Sequence, residues 1–484
     1  MTTFLIGLAI LVIGGFFYGK FCDKVFGPDD RPTPAVYKAD GVDYVVMPQW
    51  KNLLINLLNI AGTGPIIGAI QGALFGPIAL LIIPVGCVFG GAFHDYMCGM
   101  ISMRSGGKEM TDLMKDFTTK DMYLVYTLLV WVLLLLVGAV FIYTPGDMIS
   151  INLCGRSASE FDVWTWVIYG GIFLYYFAAT LFPIDKIIGK IYPIFGMLLF
   201  FSAIGIFCGF FFKDMNISEV TRENWMGIHP DKTVHLIPIF FLTVACGIVS
   251  GFHSTQCALT GRCIRSEREG RMTFYTSMIM EGFIAMVWAA ATIAVYNSGI
   301  VLISDGPMAV ISCVSKYMLG NEGGMLAILG IIVLPITSGD TALRGLRLMV
   351  AERFGIEQKS SHKRLAVTGC ILFFVALFLV ISKFAANGFT ILWRYFAWAN
   401  QTMAVFAFAM ITIYLFRKGK PWFIAIIPGM FYMFVTSAYM LHEKIGFNIP
   451  YKASLWVAGG CTAIYTVCTL IRAKKVPLPD EAQQ

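Results

Sequence analysis

The stretch Asn52–Gly76, NLLINLLNIAGTGPIIGAIQGALFG, is apolar and long enough to cross a bilayer as a helix at about 1.5 Å per residue, yet its middle reads Asn59-Ile60-Ala61-Gly62-Thr63-Gly64-Pro65. A continuous helix should break there. Pro65 has no amide hydrogen and its ring meets the carbonyl of Ala61, while Gly62 and Gly64 put almost no steric limit on the backbone. The carbonyls and amides released by the break lie at mid-membrane depth. Lipid cannot bond them, so such a break persists only against protein, water or a ligand. Residues 59–65 are therefore expected to form part of a binding site; a proline kink without a ligand is the plainer alternative, since both residue types are common in membrane helices.

The rest of the chain has the composition of a polytopic membrane protein. Of 484 residues, 57% are hydrophobic and 13% charged, and the longest connections, about 20–51, 213–235 and 299–324, are too short to fold as separate domains. Apolar runs of about 18 residues or more predict thirteen helices, at 3–19, 53–77, 78–103, 122–143, 161–181, 188–212, 236–258, 273–298, 325–343, 364–386, 391–416, 422–441 and 453–472. The fold expected is all-α, with every helix crossing the membrane. The first run has no basic residue before it and Lys20 after it, the wrong polarity for a cleaved signal, so it is expected to stay, with the N-terminus outside. On that orientation the inner segments hold 27 of the 36 Lys and Arg, as the positive-inside rule predicts, and the C-terminus is cytoplasmic. The net charge of +7 then reflects inner loops beside anionic lipid; a lipid membrane is the expected partner and nucleic acid is not. The twelve cysteines are scattered without a Cys-x-x-Cys pair, which speaks for small core residues rather than a metal or redox framework. Cys154 and Cys313, in or near outer segments, are the pair that could form a disulfide.

A second interruption lies in the seventh run, which ends Gly247-Ile248-Val249-Ser250-Gly251-Phe252-His253-Ser254-Thr255-Gln256. The second and seventh helices are five apart, an odd number, so they enter the membrane from opposite sides. That placement is the signature of an inverted-topology repeat: an extra helix and inner loop at 1–51, a first five-helix repeat at 52–212, a second at 213–416, and two further helices with an inner tail at 417–484. In such folds the half-helix ends meet at mid-membrane, where amides attract an anionic group and freed carbonyls hold a cation. A transporter with a buried site is expected rather than an open pore.

Several polar residues inside apolar runs are candidates for chemistry. Asp340 has Thr337 three residues before it and Arg344 four after, on one helix face. This is either a structural ion pair or, with Thr337, Ser338 and Thr341, the place where a coupling cation is held against carbonyls of the Gly62–Gly64 break. An Na⁺ ligated at Ala61, Thr337 and Ser338 suits such oxygen ligands, and no other metal is expected. Glu281 and Asp95 are the deepest acidic residues, each a candidate for a titrating group or a hydrogen-bonded acid within the bundle. His253 sits in the second break with Gln256 close by, and could titrate in a transport cycle or serve as a core hydrogen-bonding residue. His94 and Asp95 point about 100° apart on a helix and are not expected to act on one atom. Gly86-x-x-x-Gly90-Gly91 should let neighbouring backbones approach, and the amides of Asn400 and Gln401 either line the site or bridge helices. There is no P-loop and no nucleotide fingerprint, so ATP-driven transport by this chain is not expected.

Taken in order, Asn59-Ile60-Ala61-Gly62-Thr63-Gly64-Pro65, Gly90-Gly91-Ala92-Phe93-His94-Asp95, Ser250-Gly251-Phe252-His253-Ser254, Met280-Glu281-Gly282-Phe283-Ile284-Ala285, Asp340-Thr341-Ala342-Leu343-Arg344 and Ala399-Asn400-Gln401 resemble the motifs of the carbon starvation protein A (CstA) family, from about residue 45 to 410. The resemblance implies an inner-membrane secondary carrier of bacteria or archaea, distantly similar to the amino acid–polyamine–organocation superfamily with its LeuT-like five-plus-five fold. It also implies uptake of peptides or of pyruvate, the latter with protons. The chain departs from larger relatives in being short and in detail around Ser254-Thr255-Gln256 and Thr337-Ser338-Gly339, which bears on the substrate more than on the fold.

The expected function is thus an H⁺- or Na⁺-coupled symporter for a small carboxylate-bearing nutrient, pyruvate or a short peptide, with an amino-acid symporter of the same fold as the alternative. The substrate would meet Gly62, Thr63, Gly64, Ser250, His253, Gln256 and Asn400; Asp340, Thr337, Ser338 and Thr341 would serve a cation, and Glu281 or Asp95 a proton. No cofactor is expected beyond the coupling ion. A channel would need a continuous polar stripe along several helices, whereas these residues cluster at two breaks. A membrane enzyme would need a nucleophile–base or metal constellation, and six histidines are too dispersed for one.

Overall fold

A computed structural model describes residues 1–41, 44–181, 185–213, 215–302, 306–357 and 360–475. Among these the chain is helical, with no strand beyond an isolated bridge between Met47 and Ile264. Apart from the short helices Pro34–Tyr37 and Met110–Phe117, the helices are α1 (Thr2–Phe26), the bent pair α2a (Gln49–Ile60) and α2b (Gly64–Phe75), α3 (Ala79–Arg104), α4 (Lys120–Asn152), α5 (Val163–Leu181) and α6 (Asp185–Phe212). There follow an irregular α7a (Leu236–Phe240, Phe241–Thr243 and Ala245–Ile248), α7b (Gly251–Thr260), α8 (Glu267–Asn297), α9 (Gly306–Arg353), α10 (Ser361–Phe384), α11 (Gly388–Arg417), α12 (Phe423–His442) and α13 (Tyr451–Lys475). Among the described residues nine helices are long and apolar enough to cross a membrane, and ten if α2a and α2b count as one span. The apolar parts of α5 and α6, Val163–Ala179 and Gly196–Phe212, are shorter. The inner segment expected at 182–190 and the tail past residue 475 fall partly or wholly outside the described residues.

The two interruptions lie where the sequence placed them. Ala61 leaves the helical region with φ −81° and ψ 65°, Pro65 stands in the first turn of α2b, and the two halves are bent by 52°. Proline's missing amide costs nothing in a first turn, so α2b can restart there. In the seventh segment Ser250 is extended, with φ −135° and ψ 120°, between Ile248 and Gly251. One expectation needs correcting: the connection at 299–324 is not a loop throughout, because α9 begins at Gly306. Met308, Val310, Ile311, Val314 and Met318 give its first part a buried face at helical spacing, over a stretch shorter than a membrane span. Gly320, at φ 72°, then kinks the helix, a conformation open to glycine at little cost. All twelve cysteines, Cys154 and Cys313 included, are free thiols.

The helices form two compact units. The first comprises Met1–Leu129, Ile217–Ile293 and Ala397–Gln484; the second comprises Val130–Asn216 and Ala294–Phe396. In the first, α2b lies on α7a along a stripe of glycines. A Cβ on Gly68 would come 2.9 Å from the carbonyl oxygen of Thr243, and one on Gly64 would overlap Cys246. Gly91 of α3 sits against the backbone carbonyl of Ile248 in the same way, the close approach expected of Gly86, Gly90 and Gly91. The second unit is built on α5, α6, α9 and α10 with part of α4 and α11, and Tyr169, Tyr176 and Trp393 are buried within it.

Candidate functional site

In the first unit both interruptions border one cluster. Cys246, which the sequence marked only as a small core residue, packs on Gly64 of the first break, and its Sγ lies 4.0 Å from Ser250 Oγ and 3.8 Å from Asn400 Nδ2. Gly64, Ser250 and Asn400 are therefore brought together, with the thiol at their centre. Of the two roles open to Asn400 and Gln401, the structure displays bridging. Asn400 Oδ1 accepts the backbone amide of Phe252 at 2.8 Å and the hydroxyl of Ser250 at 3.1 Å, which caps α7b from another helix. Gln401 Nε2 donates to the carbonyls of Val249 at 2.8 Å and Phe241 at 3.3 Å, on the other side of the same break. Thr63 is buried, and its hydroxyl has no hydrogen-bond partner among the described residues. Gln256 turns its amide to the neighbouring Thr255 at 3.1 Å.

One turn into α7b the cluster becomes ionisable. His253 Nδ1 lies 3.0 Å from Asp95 Oδ2, and its Nε2 lies 3.5 Å from Glu281 Oε2. Asp95 Oδ1 is in turn 2.8 Å from His94 Nδ1. All four side chains are fully buried. Sequence reasoning offered Asp95, Glu281 and His253 as separate candidates; here they form one chain from α3 through α7b to α8. His94 and Asp95, which were not expected to act on one atom, hydrogen-bond each other directly. The 100° between their Cβ directions does not limit the reach of a short carboxylate toward an adjacent ring nitrogen. His253 faces two carboxylates, so its ring is engaged with them. Two acids and two imidazoles are neutral only when they hold two protons beyond the fully deprotonated state. Removing one leaves a net charge in a site with no water exposure, which costs several kcal/mol.

The second unit holds the remaining candidates. Asp340 Oδ2 lies 3.6 Å from Arg344, the ion pair that their spacing predicts. Thr337 Oγ1 bonds the carbonyl of Leu334 at 2.9 Å, and Thr341 Oγ1 lies 3.4 Å from that of Thr337, so both hydroxyls turn back on their own helix. Ser338 is buried and its Oγ has no hydrogen-bond partner among the described residues. Ala61 belongs to the first unit. This unit also contains a pair that sequence reasoning passed over. Lys383 Nζ lies 2.9 and 3.0 Å from the two carboxylate oxygens of Asp147 and 2.8 Å from the carbonyl of Ala158, and Tyr169 donates its hydroxyl to the same carboxylate. A lone lysine near the end of the apolar run of α10 was the available signal.

The carbon starvation protein CstA family model matches residues 1–176, 146–318 and 290–439. An uncharacterized membrane protein of Haemophilus influenzae is 40% identical over 346 residues, which cover 62% of this chain and 92% of that one. The peptide transporter CstA of Escherichia coli is 23% identical over 91% of this chain and 81% of its own length. Among solved structures, a manganese transporter of Eremococcus coleocola superposes with a TM-score of 0.55 at 14% identity, covering 91% of this chain and 99% of that one, a likeness of fold alone. The chain belongs to the carbon starvation protein CstA family.

Proposed function

We propose that the protein is a secondary active transporter that imports a small carboxylate-bearing nutrient, pyruvate or a short peptide, by alternating access with proton coupling. The observation that carries this reading is the fully buried chain His94–Asp95–His253–Glu281, which gains or loses buried charge with each proton and starts three residues from the break at Ser250. The amide ends of α2b near Gly62–Gly64 would receive the substrate carboxylate. Relatives named peptide transporters support the substrate class. Thirteen crossings, with 52–212 and 213–416 as inverted repeats, are supported by the order of the helices and the placement of the two breaks, and an outer N-terminus by the Lys and Arg of the inner segments. The manganese of the structural neighbour fits this chain poorly. The first break offers Gly62, Thr63 and Gly64 where a divalent cation would call for carboxylates.

A second reading uses Na⁺. Ser338 Oγ, buried without a protein hydrogen bond beside Asp340, gives a cation a place in the second unit. Proteoliposomes with labelled pyruvate, dialanine or an amino acid, under separately imposed proton and Na⁺ gradients, decide between them. Accumulation against a gradient driven by protons alone is expected. Uptake that never saturates and ignores both gradients would mean a channel and end this reading.

A further inference from the structure

We infer that a ladder of buried amides and hydroxyls, Asn52 and Asn56 on α2a with Thr273 and Ser277 on α8, conducts protons between Glu281 and the surface of the first unit near Met47 and Cys263. This rests on the proton reading above. On α8, Thr273, Ser277 and Glu281 recur every four residues, one above another on a single face. On α2a, Asn52 and Asn56 have the same spacing and face them: Asn56 Nδ2 donates to Ser277 Oγ at 2.7 Å and to the carbonyl of Thr273 at 3.3 Å. At the far end Asn52 Nδ2 donates to the carbonyls of Met47 at 3.2 Å and Cys263 at 3.0 Å, two half-buried residues of the adjoining loops. The four ladder side chains and Glu281 are fully buried. From Thr273 to Glu281 the rise is about 12 Å, most of half a bilayer's apolar thickness.

What marks this as more than packing is the set of atoms it leaves over. Asn52 Oδ1, Asn56 Oδ1, Thr273 Oγ1 and both oxygens of Glu281 make no hydrogen bond among the described residues. Buried polar groups in a row are as a rule satisfied by water, and leucine would fill the same volume without leaving acceptors unbonded. Glu281 faces His253 of α7b and, through it, Asp95 and His94 of α3, with Cys87 of α3 packed against the neighbouring Gly282 and the buried thiols of Cys246 and Cys257 close to the same charges. No lysine or arginine lies on the ladder itself. A proton leaving the Glu281 carboxyl goes to an adjacent water or hydroxyl, which passes its own proton on. Each ladder member regains its proton, one proton appears at the surface, and the carboxylate left behind faces His253. The amides hold the water in file.

The test uses the full chain in proteoliposomes with a pH-reporting dye in the lumen, and labelled pyruvate and dialanine as probes. Asn56→Leu is expected to slow gradient-driven uptake and its accompanying proton movement on the order of tenfold, to leave counterflow exchange unchanged, and to be partly rescued by Asn56→Ser. Thr273→Val, which removes a hydroxyl without a protein hydrogen bond, carries the same expectation and serves should Asn56→Leu fail to insert. Net uptake at the wild-type rate in both variants overturns the ladder while leaving proton coupling intact, and so does equal loss of net uptake and counterflow. A wild type that moves neither probe, or moves them without protons, overturns the parent reading and the ladder with it.

Discussion

Both units bury carboxylates, and they neutralise them in opposite ways. In the second unit Asp147 is matched from within: a lysine ammonium on both oxygens, a tyrosine hydroxyl on the carboxylate, and the lysine's remaining reach taken by a backbone carbonyl. Its charge is matched inside the pair, and changing it means breaking that pair. In the first unit Asp95 and Glu281 are bridged by His253, with His94 on the far side of Asp95. An imidazole is a cation only when protonated, so a proton alone changes the charge of this cluster while its heavy atoms stay in place. One arrangement suits a fixed frame; the other suits a group that must load and unload once per cycle.

The comparison breaks most sharply at Lys383. Lys383→Met leaves Asp147 as a buried carboxylate with no counter-charge, and is expected to destabilise the protein by about 3–5 kcal/mol. Pairing it with Asp147→Leu should recover most of the loss, since an apolar replacement of both partners leaves nothing unpaired. Thermal unfolding in detergent reads both, and a single variant as stable as wild type would mean the pair is not sequestered. Glu281→Gln is expected to behave the other way: stability within about 1 kcal/mol of wild type, proton-driven accumulation lost, counterflow retained. Accumulation that survives would remove Glu281 from the coupling chain and blur the contrast between the units. Asn400→Ala ranks below these. It strips the cap from the Phe252 amide and the partner from Ser250, at a cost of about 1–2 kcal/mol, and should weaken substrate binding because α7b frays beside the break. Unaltered stability would show that the interruption satisfies itself.

How much of this could be read in advance follows the range of the forces involved. The break at Ala61–Gly64 was legible because Pro65 acts on the carbonyl four residues away, a covalent and local fact. The apolar runs were legible for the same reason, and the ordered motifs marked the family. The pairing of Asp147 with Lys383 was not, since 236 residues separate them and each looks like a solvated charge near a helix end. The union of Asp95, His253 and Glu281 was half legible. Each was conspicuous alone inside an apolar run, but the fact that three helices converge on one imidazole is a property of packing. Asn52 and Asn56 escaped notice although their four-residue spacing is visible in NLLINLLN, because amides without charge do not stand out in a hydropathy profile. The segment 306–319 was read as connection because it is shorter than a membrane span, and its kink at Gly320 hides the continuity with the rest of α9.

Glu219 supplies the smallest effect and a third way to hold a carboxylate, near the surface and outside the apolar spans. It accepts hydrogen bonds from the Met1 amine, from the backbone amides of Thr2 and Thr3 at 2.7 Å each, and from the Thr3 hydroxyl at 2.5 Å. Partial burial works to raise its pKa, and these hydrogen bonds outweigh that and bring it from 4.5 down to about 2. The folded form therefore binds this proton less readily than the unfolded chain does. The fastening of α1 to the 217–235 segment is at full strength above pH 4.5 and fades as pH falls from there toward about 2. Because the side chain is 41% exposed, solvent screens the interaction and the effect should be small. Comparing the unfolding temperature of wild type with that of Glu219→Gln should give a modest deficit for the variant at pH 6 that closes on acidification. A deficit that stays constant down to the acid limit would mean that Glu219 holds α1 by shape rather than by charge.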